Sequence, residues 1–117
     1  MHGQIEQRTV LCSGNVEYVA HIYYDTDAPN PVEEYDFPGD GALEAWQNGE
    51  VYGWTLTRFV ASVGESAVEL DSCWGYYGDA EIPYMYECAT DAANADHAAR
   101  EATASHAMQS MDLFDAA

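Results

Sequence analysis

The sequence predicts an α+β fold. It reads as an antiparallel sheet of about four strands, made of two hairpins, with a short helix and a long C-terminal helix packed on one face. Three observations carry this. Residues 4–24 and 50–74 each hold two runs rich in Val, Ile, Tyr and Thr, parted by turn residues. Residues 81–111 are dense in alanine, the strongest helix former. A short helical stretch lies between the two hairpins, so the order is ββ–α–ββ–α.

Strands are expected over 4–12 and 16–24, joined by Cys12-Ser13-Gly14-Asn15 as a hairpin turn. Val16, Tyr18, Ala20, Ile22 and Tyr24 share one face by the period of two. Residues 25–40 carry Pro29, Pro31 and Pro38 among six acids, which reads as a loop rather than an element. A short helix follows over 42–48, with Asp40 near its start and Gly49 as its stop.

The second hairpin spans 50–63 and 67–74 around Gly64-Glu65-Ser66. Tyr52, Trp54, Leu56 and Val60 fall on one face. Arg58 falls there too, so it is either at an edge or paired. Gly75 and Gly78 flank Tyr76-Tyr77, which predicts a tight corner with positive φ at the end of the last strand. Pro83 sits in the first turn of the long helix, where its missing N–H is tolerated. The tail from Asp112 is expected to fray.

On the helix, Glu87, Asp91, Asn94, Ala98, Glu101 and Ser105 form one narrow stripe. Cys88, Ala89, Ala92, Ala93, Ala99, Thr103 and Ala107 form the opposing arc, expected to face the core. Asp96 and Arg100 are charged exceptions in that arc, with the i,i+4 spacing of a pair. Met85 and Tyr86 are expected to cover the aromatic face of the sheet, and small alanines to permit close approach.

The charge is extreme. The 117 residues carry 21 Asp and Glu against 3 Lys and Arg, a net charge of −18. All three cations are arginines, Arg8, Arg58 and Arg100; there is no lysine. The length fits a single domain, and a hydrophobic share of 48% is enough for a core. Direct nucleic-acid binding through phosphate neutralisation is excluded, because that needs a basic face. Docking on anionic membranes is disfavoured for the same reason. No run approaches the roughly 20 apolar residues of a membrane span. The first eight residues lack a basic-then-apolar pattern, so no signal peptide is expected. Cys12, Cys73 and Cys88 are odd in number and widely spaced, which predicts reduced, partly buried thiols in a cytoplasm-like compartment.

Nine of the 21 acids lie between Glu17 and Glu50, with no cation among them. Carboxylates at that density repel one another and weaken the compact state. Solubility or adaptation to salt would be bland reasons, but a salt-adapted chain ordinarily keeps arginine. A metal site in the 25–36 stretch fails the EF-hand pattern: Pro29 takes a ligand position, Asn30 stands where Gly is required, and Asp36 replaces the bidentate Glu. His2, His21, His97 and His106 do not fall at zinc spacing with any cysteine. A thiol nucleophile with His21 is disfavoured, because an acidic field suppresses thiolate. No phosphate loop, nucleophile elbow, metal motif or cofactor motif is present, so no catalytic residue, metal or cofactor is assigned.

Two segments resemble a group of small proteins encoded by phages and other mobile elements. One is Tyr23-Tyr24-Asp25-Thr26-Asp27-Ala28-Pro29-Asn30-Pro31-Val32-Glu33-Glu34-Tyr35-Asp36, similar to an Asp-x-Asp-Ala-x-Asn-Pro-x-Glu stretch. The other joins Val51-Tyr52-Gly53-Trp54 with Leu70-Asp71-Ser72-Cys73-Trp74-Gly75-Tyr76-Tyr77-Gly78-Asp79, similar to that group's C-terminal part. Together they cover roughly half the chain; typical members are longer, and their middle portion has no counterpart here. The resemblance implies a mobile-element origin and carries over no activity, so no catalytic residue follows from it. By charge, the chain also resembles DNA mimics that block host enzymes: anti-CRISPR and anti-restriction inhibitors, and inhibitors of uracil-DNA glycosylase.

The expectation is therefore a non-enzymatic inhibitor acting in the host cytoplasm. Its acidic surface would occupy the DNA-binding site of a host complex, a CRISPR effector before a restriction or DNA-repair enzyme. The contact set is Asp25, Asp27, Glu33, Glu34, Asp36, Asp40, Glu44, Glu87, Asp91 and Glu101, with Tyr35, Trp46 and Tyr77 as aromatic anchors. The alternative is an adaptor that grips a protein through the Trp74-to-Tyr77 corner, its acids serving solubility.

Overall fold

The computed structural model of the chain describes residues 3–36, 39–61 and 67–115, those beyond 106 by their backbone alone. In order it comprises β1 (Gln4–Ser13), β2 (Val16–Tyr24), α1 (Pro31–Glu34), α2 (Ala42–Gln47), β3 (Val51–Val60), β4 (Ala67–Tyr77), a 3-10 turn (Asp79–Glu81) and α3 (Ile82–Asp115). The strands form one antiparallel sheet in the order β1-β2-β3-β4. With α3 laid across one face, this is the expected α+β fold. The expected turn Gly64-Glu65-Ser66 lies outside the described residues.

The period-two pattern of β2 and β3 decides which face is buried. Their register sets Ala20 opposite Leu56 and Ile22 opposite Trp54. Val16, Tyr18, Ala20 and Ile22 thus merge with Tyr52, Trp54 and Leu56 into one buried surface. From α3, Met85, Ala89 and Ala93 descend onto it at spacing four, each with no exposed surface. Alanine at two of the three contact points lets the helix axis sit close to the sheet. Full burial of a side chain the size of Met85 or Leu56 contributes about 1.5–3 kcal/mol. Tyr24, expected on this face, is 42% exposed at the end of the sheet, where it stacks on Tyr52 at 5.5 Å.

Two glycines have specific structural jobs. The Trp74 ring lies directly over Gly53, so a Cβ there would collide with it. Gly75 adopts φ +84° where the register skips between Trp74 and Tyr76, a β-bulge inside β4. β4 therefore runs on to Tyr77, and the predicted corner is a bulge followed by a turn at Gly78.

Three expectations need correction. First, 25–40 is not wholly a loop. Asn30 Oδ1 accepts from the Val32 N–H at 3.0 Å, and Pro31 occupies the first helical position, so α1 forms as a capped single turn. Second, Asp96 pairs with Arg58 on β3 at 2.9 Å, across to the sheet rather than along the helix to Arg100. Third, only the first half of the inner arc meets the sheet. Cys88, Ala89, Ala92 and Ala93 are covered, but Ala99 and Thr103 are exposed, as is every residue of 98–106; Ala107 lies outside the described side chains. Length explains this. The 34 residues of α3 span about 51 Å, whereas a ten-residue strand such as β3 reaches about 33 Å. The helix also continues to Asp115, through the first part of the tail expected to fray.

Candidate functional site: an acidic pole

Antiparallel connectivity gathers ten of the 21 acids at one end of the sheet. Residues 25–50 join the end of β2 to the start of β3, and the register Val51↔Tyr77 brings the end of β4 to the same place. The 3-10 turn then sits beside the 25–50 segment, held by Gly78 N–H donating to the Glu50 carbonyl at 2.8 Å. Asp25, Asp27, Glu33, Glu34, Asp36, Asp40, Glu44 and Glu50 thus share one pole with Asp79 and Glu81. Nine of these ten are exposed and Asp25 is half-buried. Asp40, Glu44, Glu50, Asp79 and Glu81 line a shared concavity.

None of the three arginines is at this pole. Arg8 lies 4.0 Å over the Tyr86 ring, Arg58 is paired with Asp96, and Arg100 is on the overhanging part of α3. The negative field reaches the nearby phenols. Burial raises the Tyr77 hydroxyl above its ordinary value first, then Tyr35, Asp25 and Glu34 add to it. Tyr52 is likewise raised by burial, with Tyr24, Glu50 and Asp79 contributing.

The stripe on α3 continues this surface. Glu87, Asp91, Asn94, Ala98, Glu101 and Ser105 are all exposed. From Glu87 to Glu101 the stripe runs roughly 21 Å. Glu101 Oε1 lies 3.2 Å from His97 Nε2, one helical turn back.

Every acid of the expected contact set is solvent-facing or half-buried, and seven of them, Asp25 to Glu44, come together at the pole. Glu87, Asp91 and Glu101 lie along the helix instead. Glu50, Asp79 and Glu81 belong to the pole but are outside the expected set. The signal for the last two was the hairpin register, which returns β4 to the start of β3.

The three aromatic candidates divide. Tyr77 Oη donates to the Pro29 carbonyl at 2.6 Å, and Trp46 Nε1 donates to the Ala28 carbonyl at 3.0 Å. Both rings are clamps that hold the 25–31 stretch to α2 and β4. Tyr35 is different: it is 45% exposed and meets Tyr77 edge-on at 6.3 Å. Val32 and Leu43 are also exposed at the pole, at 57% and 37%. Val32 and Leu43 are outside the expected set: the prolines and acids around Val32 read as a loop with no face to display it, and a lone Leu43 on the short helix reads as core.

Among the described residues, no three His, Cys, Asp or Glu side chains are placed to hold a metal ion. No helix among them is long and apolar enough to cross a membrane. Compared with protein-family models, curated proteins and solved structures, the chain matches none.

Proposed function

We propose that this chain is a non-enzymatic inhibitor that presents its acidic pole to a basic, DNA-handling host protein and occupies the site DNA would take. A CRISPR effector of an infected host cell is the preferred target, ahead of a restriction or DNA-repair enzyme. One observation carries this reading: ten carboxylates gather at one end of the fold, with all three arginines elsewhere. A surface kept only for solubility has no need of ten carboxylates at one end without an arginine among them, and the mutual repulsion weakens the fold.

The mechanism follows from electrostatics. Duplex DNA carries about one charge per 1.7 Å, and a cleft built for it is lined with Lys and Arg. A rigid body with clustered carboxylates enters such a cleft, releases the anions held there and gains from long-range steering. Tyr35, Val32 and Leu43 then supply apolar contact inside the charged ring, as anchors do in protein interfaces.

The adaptor reading through the Trp74-to-Tyr77 corner has less support. Trp74 lies over Gly53, Tyr76 accepts from Trp54 Nε1 at 3.1 Å, and Tyr77 holds Pro29. These rings are engaged within the chain. Capture from a host lysate at low and high salt separates the readings. The inhibitor reading predicts a nucleic-acid-handling protein retained at low salt and released at high salt, because exposed charges are screened within about 8 Å at physiological ionic strength. Salt-independent capture counts against it.

A further inference from the structure

α3 packs chiefly over β1, β2 and β3 and meets β4 more lightly, with Tyr84 beside Tyr76 at 6.2 Å between ring centroids. This leaves a groove of ≈ 570 Å³ between the helix and the edge strand. Trp54 and Tyr76 line it from the sheet; Cys73 of β4 and Cys88 and Ala92 of α3 add to its walls. Asp71 on β4 and Asp91 on α3 stand at its two sides, both exposed.

The polar atoms of the aromatic lining are already used. Trp54 Nε1 donates to Tyr76 Oη at 3.1 Å, and the Tyr76 hydroxyl is also hydrogen-bonded to Cys73. Asp71 Oδ1 accepts from the Ser72 backbone N–H at 2.8 Å, and among the described residues no ion pair neutralises Asp71 or Asp91. The groove therefore offers two carboxylates, which can only accept, above a mainly apolar and aromatic lining to which Ser72 adds a hydroxyl and Cys73 and Cys88 their thiols. Its complement is a cation with several donors on an apolar stem. Arginine fits better than lysine, because its planar fork can engage two carboxylates while its stem and flat face lie on aromatic rings.

We propose that the α3–β4 groove is a receptor for one arginine side chain projecting from the basic surface of the partner. This deepens the inhibitor reading and rests on it for the source of the arginine. The groove would fix orientation, which a diffuse acidic pole cannot do alone.

The test uses the whole protein, labelled with 15N, and three probe peptides: acetyl-Gly-Arg-Gly-amide and its citrulline and lysine counterparts. The expected result is saturable shifts at the Trp54 indole N–H and the amides of Asp71, Cys73 and Asp91 with the arginine peptide. Citrulline, nearly isosteric but uncharged, should give none, and lysine should bind more weakly. In the double variant Asp71→Asn, Asp91→Asn the affinity should fall roughly tenfold or more. Both positions are exposed, so the spectrum elsewhere should stay that of the folded wild type. The proposal is overturned if shifts spread evenly over the acidic pole, if the citrulline or lysine peptide binds as well, or if the double variant binds arginine unchanged. None of these outcomes depends on the host target. A groove that ignores arginine, in a protein whose pole still captures a basic complex, would sink this inference alone.

Discussion

Arg58 Nη1 donates to both carboxylate oxygens of Asp96, at 3.0 and 2.9 Å, and so fastens the middle of α3 to the far half of β3. Tyr18 Oη donates to the same Oδ2 at 2.7 Å. Burial alone would raise the Asp96 carboxyl; the Tyr18 hydroxyl and the Arg58 guanidinium outweigh it and hold the group below its ordinary value. The pair is mostly shielded, with 17% and 24% of the two side chains exposed. It stands where the alanine contacts of α3 end and the overhang begins.

Breaking this pair from one side leaves a shielded charge alone. Asp96→Ala or Arg58→Ala should each lower stability by about 2–4 kcal/mol, the lower end reflecting partial solvent access. Replacing both, as Arg58→Met with Asp96→Leu, should recover much of the loss. Urea denaturation of the two singles and the double forms the cycle. Equal losses in all three would contradict this account.

Gly53→Ala tests a packing claim. The new Cβ collides with the Trp74 ring, which has to move off the sheet. The expected loss is about 1–3 kcal/mol with a change in tryptophan fluorescence. Adding Trp74→Ala should remove most of the additional loss caused by the methyl group.

Tyr77→Phe deletes the hydroxyl that holds the Pro29 carbonyl while keeping the ring. Global stability should drop by about 1 kcal/mol. Proteolysis within 25–40 should quicken, because the clamp on that stretch is lost. A protease-resistance profile identical to wild type would show that Trp46 and the α1 cap suffice.

The pH dependence has a definite sign at both ends. Tyr18 and Tyr86 are pushed up to about 12, burial acting first and acceptance by Asp96 and Glu6 adding to it. Groups with raised folded values stabilise fully below the unfolded phenol value near 10. That stabilisation is lost as pH climbs towards about 12. Asp96 acts in the opposite direction: its depressed folded value stabilises above the unfolded carboxylate value near 3.9, and the contribution fades as pH falls below it. Thermal melts across pH, with phenolate absorbance followed above pH 9, check both limbs. Ionisation of all nine tyrosines in one step near pH 10 would contradict the alkaline limb.

Much of the fold was legible because period and composition agreed. The limits of β2 follow from its alternation, and the buried halves of β2 and β3 from residues two apart. Arg58 was visible as a residue needing a partner on the apolar face. Its partner was not, because local spacing offered Arg100 to Asp96, whereas helix docking, a long-range event, decides for Arg58. α1 was obscured by a composition of prolines and acids that reads as loop, although Asn30-Pro31 carries a cap and a first-turn proline. Of the pole, the run from Asp25 to Glu44 was visible as sequence density. Asp79 and Glu81 join it only through the β3–β4 register.

The central claim is that the acidic pole takes the place of DNA. The most direct measurement is competition for the captured host complex between this protein and a labelled duplex at low salt. Wild type should displace the duplex, and the folded variant Glu33→Lys, Glu34→Lys, Asp36→Lys, Glu44→Lys should not. Simultaneous binding of protein and duplex, or undiminished displacement by that variant, would contradict the account.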